Sequence, residues 1–379
     1  MLLQRIAVKT AFFINGFIFA NWVSRLPRIQ DLYNADDGTI GLVLLASSIG
    51  AVGAMPFTGW VIIKNGSRRI TLISAILYCA FVPLIPLAQN LPLLIVLYFF
   101  IGIVTGMLDV AMNAQAILVE RDYKKPIMTS FHALFSIGMM MGAGSASLFT
   151  DLGFDLVSHF FVVSGAALLG AVWMSRQLVR DSADPTHHDG PLFRLPHRSM
   201  IVLGIITFCC MIGEGSMSDW SVNYMENIAN ASITLAPFGL SAFATAMTLG
   251  RIFGDSMRNR FGDRLLIIGG GLMALIGLSA ALLLPSPYVT IAGFFFVGLG
   301  LSSIVPIAYS IAGNDKNLPP GVGLAMVTTV GYTGFLIGPP LIGFIADWQD
   351  LRFSLGIIAL LLLLMTVLGY RYKTISSVQ

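Results

Sequence analysis

The run "LPLLIVLYFFIGIVTGMLDVAMNAQAILV" (residues 91–119) holds one charged side chain, Asp109, among apolar residues. A helix needs about 20 predominantly apolar residues to cross the hydrocarbon core of a bilayer, and this run is longer than that. Gly102 and Gly106 lie inside it, and small residues let membrane helices pack closely. The stretch therefore predicts a membrane-spanning helix that carries a carboxyl group.

Comparable apolar runs recur along the whole chain. Apolar residues make up 56% of the 379 residues and charged residues 11%, and the mean hydropathy is +0.82, which excludes an ordinary water-exposed globular domain. We expect an all-α polytopic membrane protein with twelve spans. Numbered in order, they are residues 6–28, 39–63, 70–89, 91–119, 127–150, 157–178, 199–225, 235–257, 265–284, 288–312, 321–346 and 353–371.

The placement of Lys and Arg predicts the orientation of these spans. Eighteen of them fall at the termini and in one set of alternate loops, three fall in the opposite set, and Arg251 lies inside span 8. Because cytoplasmic loops carry the excess of basic residues, both termini are expected in the cytoplasm. The expected location is the cytoplasmic (inner) membrane of a bacterium, with the chain crossing it many times.

The chain is expected to consist of two six-helix bundles, residues 1–178 and 199–379. The polar stretch "VRDSADPTHHDGPLFRLPHR" (179–198) between them reads as a cytoplasmic linker. Short matches relate the halves at an offset of 196 to 198 residues, for example "FFIG" at 99–102 with "FFVG" at 295–298. Such internal similarity indicates a six-plus-six duplication.

Motifs for other kinds of function are missing from the sequence. The cysteines Cys79, Cys209 and Cys210 have no ligand spacing, and the adjacent pair His187 and His188 has no third ligand nearby, so no metal is expected. No GxSxG, HExxH or nucleotide-binding GxxxxGK[ST] sequence occurs. We expect neither an enzyme nor a cofactor, and energy for any transport must come from gradients.

Two parallel six-helix halves describe the major facilitator architecture, and the chain resembles that superfamily over its whole length. "GWVIIKNGSRR" (59–69) resembles its cytoplasmic loop signature, and "NRFGDR" (259–264) the degenerate second copy. The signature's acidic residue is replaced by Ile63, so the expected latch between halves is weaker or differently built. The resemblance implies a cytoplasmic gating role for Lys64, Arg68, Arg69, Arg251 and Asp255, the last two as an ion pair four residues apart on one helix. Orientation alone explains these basic residues equally well.

Shorter motifs resemble one branch of the superfamily. "LDVAMNA" (108–114) resembles the span 4 motif of the fucose permease branch, while "SFHALFSIG" (130–138) and "EGSMSDWS" (214–221) look like the rhizopine-transport-protein (MosC-like) group. The acidic residue of the span 4 motif is assigned proton coupling in that branch. The resemblance therefore implies the same role for Asp109.

The residues around Asp109 support a functional interpretation. Thr105 and Asn113 lie four residues either side, so the three polar groups share one helix face. An ionisable residue at a helix centre costs about 2.5–3.5 kcal/mol on insertion scales, and the equivalent position in the second half is Val305. A carboxyl group satisfied by neighbouring helices in a structural network is the alternative.

Candidate substrate contacts are polar or aromatic residues on spans that border the central cavity in this architecture. His132 is alternatively a packed residue, and Trp22 and Trp220 are alternatively part of an interfacial aromatic belt. We expect Asn21, His132 and Glu214 to line one cavity. The full predicted set is Asn15, Asn21, Trp22, Asn113, His132, Glu214, Trp220 and Tyr332.

The sequence thus predicts a secondary transporter that moves a small polar solute, such as a sugar, polyol or amino sugar, by proton symport. A proton-driven exporter of small or hydrophobic compounds and a non-transporting sensor with the same fold are the alternatives. The expected partners are the solute, protons and bilayer lipids, with no nucleic acid and a monomeric chain.

Overall fold

A computed structural model describes residues 1–123, 127–180, 198–313 and 322–371. The described residues form fourteen α-helices and one short 3-10 helix, with no β-strand among them. The chain divides into two compact units. Unit 1 comprises residues 1–190 with 232–241, and unit 2 comprises residues 191–231 with 242–379.

Unit 1 contains seven α-helices and the 3-10 helix. They are α1 (Leu2–Val23), α2 (Leu26–Tyr33), α3 (Asp37–Asn65), α4 (Ser67–Phe81), the 3-10 helix Val82–Leu87, α5 (Leu91–Tyr123), α6 (Met128–Asp151) and α7 (Leu156–Ser175). Helix α1 packs along α6, and α3 packs along α5. The 3-10 helix continues α4 where Pro83 and Pro86 interrupt regular α-helical hydrogen bonding.

Unit 2 contains the remaining helices. They are α8 (Arg198–Asn227), α9 (Pro237–Phe261, whose first turn belongs to unit 1), α10 (Asp263–Leu283), α11 (Pro287–Leu301), α12 (Ile304–Gly313), α13 (Val322–Trp348) and α14 (Leu351–Arg371). Helix α8 packs along α13, and α10 packs against both α11 and α14. These pairs involve the predicted spans 7 with 11, 9 with 10, and 9 with 12.

Eleven helical segments in the described part of the chain are long and apolar enough to span a membrane. They coincide with eleven of the twelve predicted spans, α11 and α12 together forming one of them. The region predicted as span 8 forms the 25-residue helix α9. Arg251 and the polar residues that follow it lower the hydropathy of α9 below that of the other spans.

Backbone conformation repeats between the two units. Among the described residues, the non-glycine positions with positive φ are Asn34 (48°) and Asn230 (55°), which lie 196 residues apart. Gly66 (78°) and Gly262 (75°) have the same separation, and they stand between α3 and α4 and between α9 and α10. Asparagine and glycine are the residues that adopt a positive φ most easily. The two halves therefore turn in the same way at equivalent positions.

An arginine stands two residues after each of these glycines and caps the C-terminal end of a helix in its own unit. Arg68 donates from Nε and Nη2 to the carbonyl oxygen of Ser175, at 3.1 and 2.7 Å. Arg264 donates from Nη2 to the carbonyl oxygen of Tyr370, at 2.5 Å. The last carbonyl groups of a helix have no partner within the helix, so a cationic donor stabilises them.

The opposite ends of the same two helices are also capped alike. The carboxylate of Asp155 accepts from the N–H of Ser158 at 2.7 Å, and that of Asp350 accepts from the N–H of Phe353 at 2.7 Å. The hydrogen bonds from Ser158 hold the pKa of Asp155 below its usual value of 3.8. Helices α7 and α14 are thus fixed at both ends by the same chemistry.

Close helix packing repeats too. A methyl group at Gly102 of α5 would lie 2.6 Å from the carbonyl carbon of Ser47 in α3, and one at Gly298 of α11 would lie 3.1 Å from that of Phe243 in α9. Gly102 and Gly298 are 196 residues apart, and so are their contact residues Ser47 and Phe243. Backbones approach this closely only where neither helix has a side chain in the way.

Candidate functional site

The polar face of α5 is organised around Asp109. The amide nitrogen of Asn113 donates to the main-chain oxygen of Asp109 at 2.9 Å and lies 3.4 Å from its Oδ1. Thr105 donates within the helix, to the carbonyl oxygen of Gly102 at 3.0 Å. Asp109 is partly buried, and no cation in the described part of the chain forms a salt bridge with it. Its carboxyl group therefore lies on a spanning helix, and none of the described residues compensates its charge.

Two further predicted residues lie on helices that pack close to this face. Asn15 of α1 is buried, and its amide nitrogen lies 3.9 Å from the sulfur of Met112, next to Asn113. His132 of α6 is partly buried and meets the ring of Phe12 edge-on, with centroids 5.1 Å apart. Because α1 packs on both α5 and α6, unit 1 holds these polar groups on three adjoining helices.

Asn21 lies in the interior of unit 1. Its side chain is fully buried, and Nδ2 donates to the carbonyl oxygen of Phe17 at 2.8 Å. Its Oδ1 accepts from Ser145 Oγ of α6 at 3.0 Å and lies 2.9 Å from Nε2 of His159 in α7. The amide of Asn21 is thus engaged by three helices of its own unit. A role as a solute contact stays a prediction.

The two predicted tryptophans are buried in the described structure. Trp22 is almost completely buried, donates from Nε1 to the hydroxyl of Tyr78 at 3.1 Å, and meets the ring of Tyr98 edge-on at 5.3 Å. Trp220 of α8 has no exposed surface, and its Nε1 finds no acceptor among the described residues. Neither ring is exposed in the described structure, as a tryptophan of an interfacial belt would be.

Glu214 and Arg251 form an ion pair inside unit 2. Arg251 Nη2 of α9 donates to Glu214 Oε1 of α8 at 3.1 Å, and the side chains are 18% and 20% exposed. The sequence had suggested Asp255 as the ionic partner of Arg251, but the side chain of Asp255 lies outside the described residues. A predicted gating residue and a predicted binding residue thus meet in one pair.

Aromatic residues of α12 and α13 complete the polar part of unit 2. The hydroxyl of Tyr309 on α12 lies 3.8 Å from the sulfur of Met211, which stands one helical turn before Glu214 on α8. Tyr332 is partly buried and packs near Phe335, with ring centroids 6.1 Å apart. The structure thus brings Glu214 and Arg251 near a tyrosine hydroxyl that sequence reasoning did not single out.

The predicted gating residues of unit 1 lie at the junction of α3 and α4. Lys64 and Arg69 are exposed there, whereas Arg68 is partly buried and holds the end of α7. The side chain of Ile63 lies outside the described residues. The Arg68 side chain therefore caps α7, and gating stays a prediction for all of these residues.

Two buried polar clusters in unit 1 were not predicted. Gln115 of α5 donates from Nε2 to Ser67 Oγ at 2.7 Å and to the carbonyl oxygen of Val179 at 3.0 Å, while its Oε1 accepts from the N–H of Val179 at 2.9 Å. Arg25 donates to Thr150 Oγ1 and to the carbonyl oxygen of Phe154. The sequence shows each of these residues only as a polar side chain in an apolar stretch. Such a side chain requires a hydrogen-bond partner from another helix, and this could have pointed to the clusters.

Metal binding finds no support in the part of the chain that the structure covers. No group of three or more His, Cys, Asp or Glu side chains there could hold a metal ion. Cys79, Cys209 and Cys210 are buried free thiols. His187 and His188 lie outside the described residues.

Comparison with known proteins identifies the family. The sequence model of the Major Facilitator Superfamily matches residues 10–315 and 203–377. An uncharacterized MFS-type transporter of Yersinia pestis is 36% identical over 360 residues, which cover 95% of this chain and 93% of the relative. The membrane protein MosC of Rhizobium meliloti is 32% identical over 344 residues, covering 90% and 83%.

A solved structure shares the fold. The crystal structure of a mutant of the nucleoside transporter NupG matches with a TM-score of 0.81 at 12% sequence identity, covering 98% of this chain and 100% of that one. At this identity the match concerns the fold alone. It agrees with the all-α architecture of the chain.

Proposed function

The chain belongs to the major facilitator superfamily of membrane transporters, and on that premise we propose that it moves a small polar solute by proton symport, with Asp109 as the proton-carrying group. The observation that carries this proposal is a contrast between two partly buried carboxyl groups. Glu214 is held by the guanidinium of Arg251, whereas Asp109 has the amide of Asn113 and no cation among the described residues. Of the two, Asp109 is the one that gains most from becoming neutral.

Protonation of Asp109 would alter the cost of the conformational cycle. An ionised carboxylate that is sealed from water is strongly destabilised, while a neutral carboxylic acid can be buried with a hydrogen bond. The protein that has bound both solute and proton can therefore switch between the states open to either side of the membrane. The empty protein, in which Asp109 is ionised, resists this change. A potential of 100 mV contributes about 2.3 kcal/mol per elementary charge moved, which biases such a cycle strongly.

Each unit by itself carries polar side chains that suit a polar solute. In unit 1, amide and imidazole groups of Asn15, Asn113 and His132 provide hydrogen-bond donors and acceptors. In unit 2, the Glu214–Arg251 pair and the hydroxyl of Tyr309 add charged and neutral groups. These groups support a hydroxylated solute better than a purely apolar one.

The orientation belongs to the same proposal. The excess of Lys and Arg at the termini and in one set of loops supports cytoplasmic ends, in a bacterial inner membrane and with a single chain as the working unit. Reporter fusions after Arg180 and at Gln379 should be active on the cytoplasmic side. A signal from the opposite side at either position contradicts this orientation.

The test compares wild type with Asp109→Asn, which mimics the protonated side chain. Both proteins are reconstituted in liposomes, and uptake of each solute in a panel of sugars, polyols, amino sugars and sugar acids is measured with and without an imposed pH gradient. Asp109→Asn should keep solute exchange in the absence of a gradient and lose accumulation driven by protons. Asp347→Asn, which alters an exposed carboxylate at the end of α13, is the matched control and should accumulate like wild type.

Continued proton-driven accumulation by Asp109→Asn would assign the coupling elsewhere. Asp219 would then be the next candidate, because it is a partly buried carboxyl group on α8 with no ion pair among the described residues. Loss of both exchange and accumulation, with wild-type thermal stability, would make Asp109 a solute contact and refute the coupling role.

A further inference from the structure

Two cations near the start of α1 have no part in the transport mechanism proposed above. Arg5 and Lys9 are partly buried, and Lys9 lies about 10 Å along the axis of this spanning helix from its first residue, Leu2. Side chains four residues apart are neighbours on one face of an α-helix, and like charges in that arrangement repel each other. An ionisable residue inside a spanning helix is costly, so the pair requires a functional explanation.

The described residues supply no anion to these two cations. Neither Arg5 nor Lys9 forms a salt bridge among them. Glu120, near the end of α5, accepts instead from the N–H of Ile127 at 2.7 Å, and Asp122 is exposed. The Nε atom of Arg5 is buried and has no acceptor in the part of the chain that the structure describes. A buried donor is costly when it is not hydrogen-bonded, so the guanidinium has binding capacity for a ligand.

Tyr123, at the end of α5, holds this guanidinium in one orientation. The Cζ atom of Arg5 lies 5.2 Å from the centroid of the tyrosine ring. A guanidinium stacked on an aromatic face keeps its edge available, and that edge presents N–H donors in a planar fork that matches phosphate oxygens. Lys9 adds a compact second charge on the same helix face. One planar and one compact cation side by side suit an anion with several oxygens, such as a phosphate group.

Exposed apolar side chains adjoin the two cations. Leu2 and Ile6 lie with Arg5 and Lys9 within about 100° of the circumference of α1, and they are 64% and 39% exposed. Leu3, beside this face, is also exposed. A soluble anion would leave this apolar surface uncovered, whereas an amphiphile covers it while its phosphate meets the cations. Basic pockets between the ends of membrane helices bind anionic lipid headgroups in this way.

We propose that Arg5, Lys9 and Tyr123 form a binding site for the phosphate of an anionic phospholipid, with Leu2 and Ile6 against its apolar part. The bound phosphate neutralises two like charges and joins the start of α1 to the end of α5. It therefore stabilises unit 1. The inference depends neither on the identity of the transported solute nor on proton coupling through another residue.

The test measures melting temperatures and lipid affinities of the purified full chain in a neutral detergent. The probes are phosphatidylglycerol, phosphatidylcholine with the same acyl chains, and glycerol phosphate as the headgroup alone. Phosphatidylglycerol should raise the melting temperature more than phosphatidylcholine, whose headgroup carries its own cation. Glycerol phosphate should have a much smaller effect, because it covers none of the apolar surface.

Variants assign the recognition to the proposed residues. Lys9→Gln should weaken phosphatidylglycerol binding about fivefold, as expected for one cation near a membrane surface, and Arg5→Gln/Lys9→Gln should weaken it further. Tyr123→Phe should keep the affinity, and Tyr123→Leu should lower it because the guanidinium loses its aromatic support. Arg176→Gln, which removes an exposed cation next to the end of α7 in the same unit, is the matched control and should bind like wild type.

Stability without lipid separates a ligand site from an internal structural role. In the absence of phosphatidylglycerol, Lys9→Gln should be at least as stable as wild type, because the substitution removes a repulsion. A less stable Lys9→Gln protein would show that the chain itself pairs this cation, and would overturn the inference. Equal stabilisation by the two lipids, or an equal loss of affinity in Arg176→Gln, would overturn it as well. Glycerol phosphate as effective as phosphatidylglycerol would make this a site for soluble phosphates and refute the lipid assignment.

Discussion

Replacing Asn21 with leucine should destabilise unit 1, mainly because the buried side chain of His159 loses its hydrogen bond to Asn21. Ser145 keeps a second acceptor, the carbonyl oxygen of Gly142 at 2.8 Å, and the Phe17 carbonyl only loses an extra donor. His159 Nε2, by contrast, has Asn21 Oδ1 as its hydrogen-bond partner in the described structure, and its Nδ1 has none there. The cost of the substitution therefore falls mainly on the buried imidazole.

The expected magnitude follows from these contacts. Interhelical hydrogen bonds in membrane proteins contribute about 0.6 kcal/mol on average and up to about 1.7 kcal/mol. A buried polar group left without its partner adds about 1–3 kcal/mol. We expect Asn21→Leu to lower the free energy of unfolding by about 2 kcal/mol, and the double variant Asn21→Leu/His159→Phe to recover most of it. The ring of His159 already packs on Phe149, with centroids 4.6 Å apart, so phenylalanine fits that environment.

The assay is a double-mutant cycle of unfolding free energies from denaturant titration in detergent, with solute binding measured on each variant. Recovery in the double variant shows that Asn21 and His159 are coupled. Additive losses would refute this reasoning. Unchanged stability of Asn21→Leu together with lost solute binding would instead restore Asn21 as a solute contact.

Three shorter predictions concern packing, capping and pH. Gly102→Ala should destabilise the protein by about 1–3 kcal/mol, because the added methyl group would meet the backbone of Ser47. Gly144→Ala is the control: its methyl group would meet nothing within 4 Å, so it should be neutral or stabilising by up to about 1 kcal/mol. Equal melting temperatures of the two variants would contradict the packing argument. Arg68→Gln should lower the melting temperature more than Arg264→Gln, since Arg68 is partly buried and Arg264 is exposed. If Arg68→Gln instead changes transport and leaves the melting temperature unchanged, gating and not capping is the role of Arg68. The pKa of Asp155 is lowered in the folded state, so its carboxylate stabilises the fold at pH values above 3.8, and this contribution is lost as the pH falls through the lower folded pKa. Asp155→Asn should therefore make the melting temperature fall less steeply as the pH is lowered. An unchanged fall would show that other groups cause it.

The sequence predicted the membrane-spanning architecture because that architecture depends on local composition. Runs of apolar residues, interrupted by Gly, Pro and basic loops, are sufficient to identify helices that cross a bilayer. The offset of 196 residues also emerged from short matches, and it recurs in the structure between Asn34 and Asn230 and between Gly66 and Gly262. Asp109 was identified in the same way, since a charge in an apolar run is visible without knowing its neighbours.

Partners that lie far apart in sequence could not be predicted. Helical spacing suggested Asp255 for Arg251 because it reveals only neighbours on the same helix, and that pair stays a prediction. It could not reveal the ion pair with Glu214, which is 37 residues away on another helix. Likewise, nothing near Asn21 pointed to His159, 138 residues away. Which faces of two helices meet depends on tertiary packing, and that information is spread over the whole chain.

The clamp formed by Gln115 has a mechanical consequence for unit 1. One amide holds both backbone groups of Val179 and the hydroxyl of Ser67, so the start of α4, the last turns of α5 and the chain beyond α7 are joined at one point. A rotation of α5 would therefore have to break these hydrogen bonds or displace Ser67 and Val179 with it, so the three segments are coupled at this point.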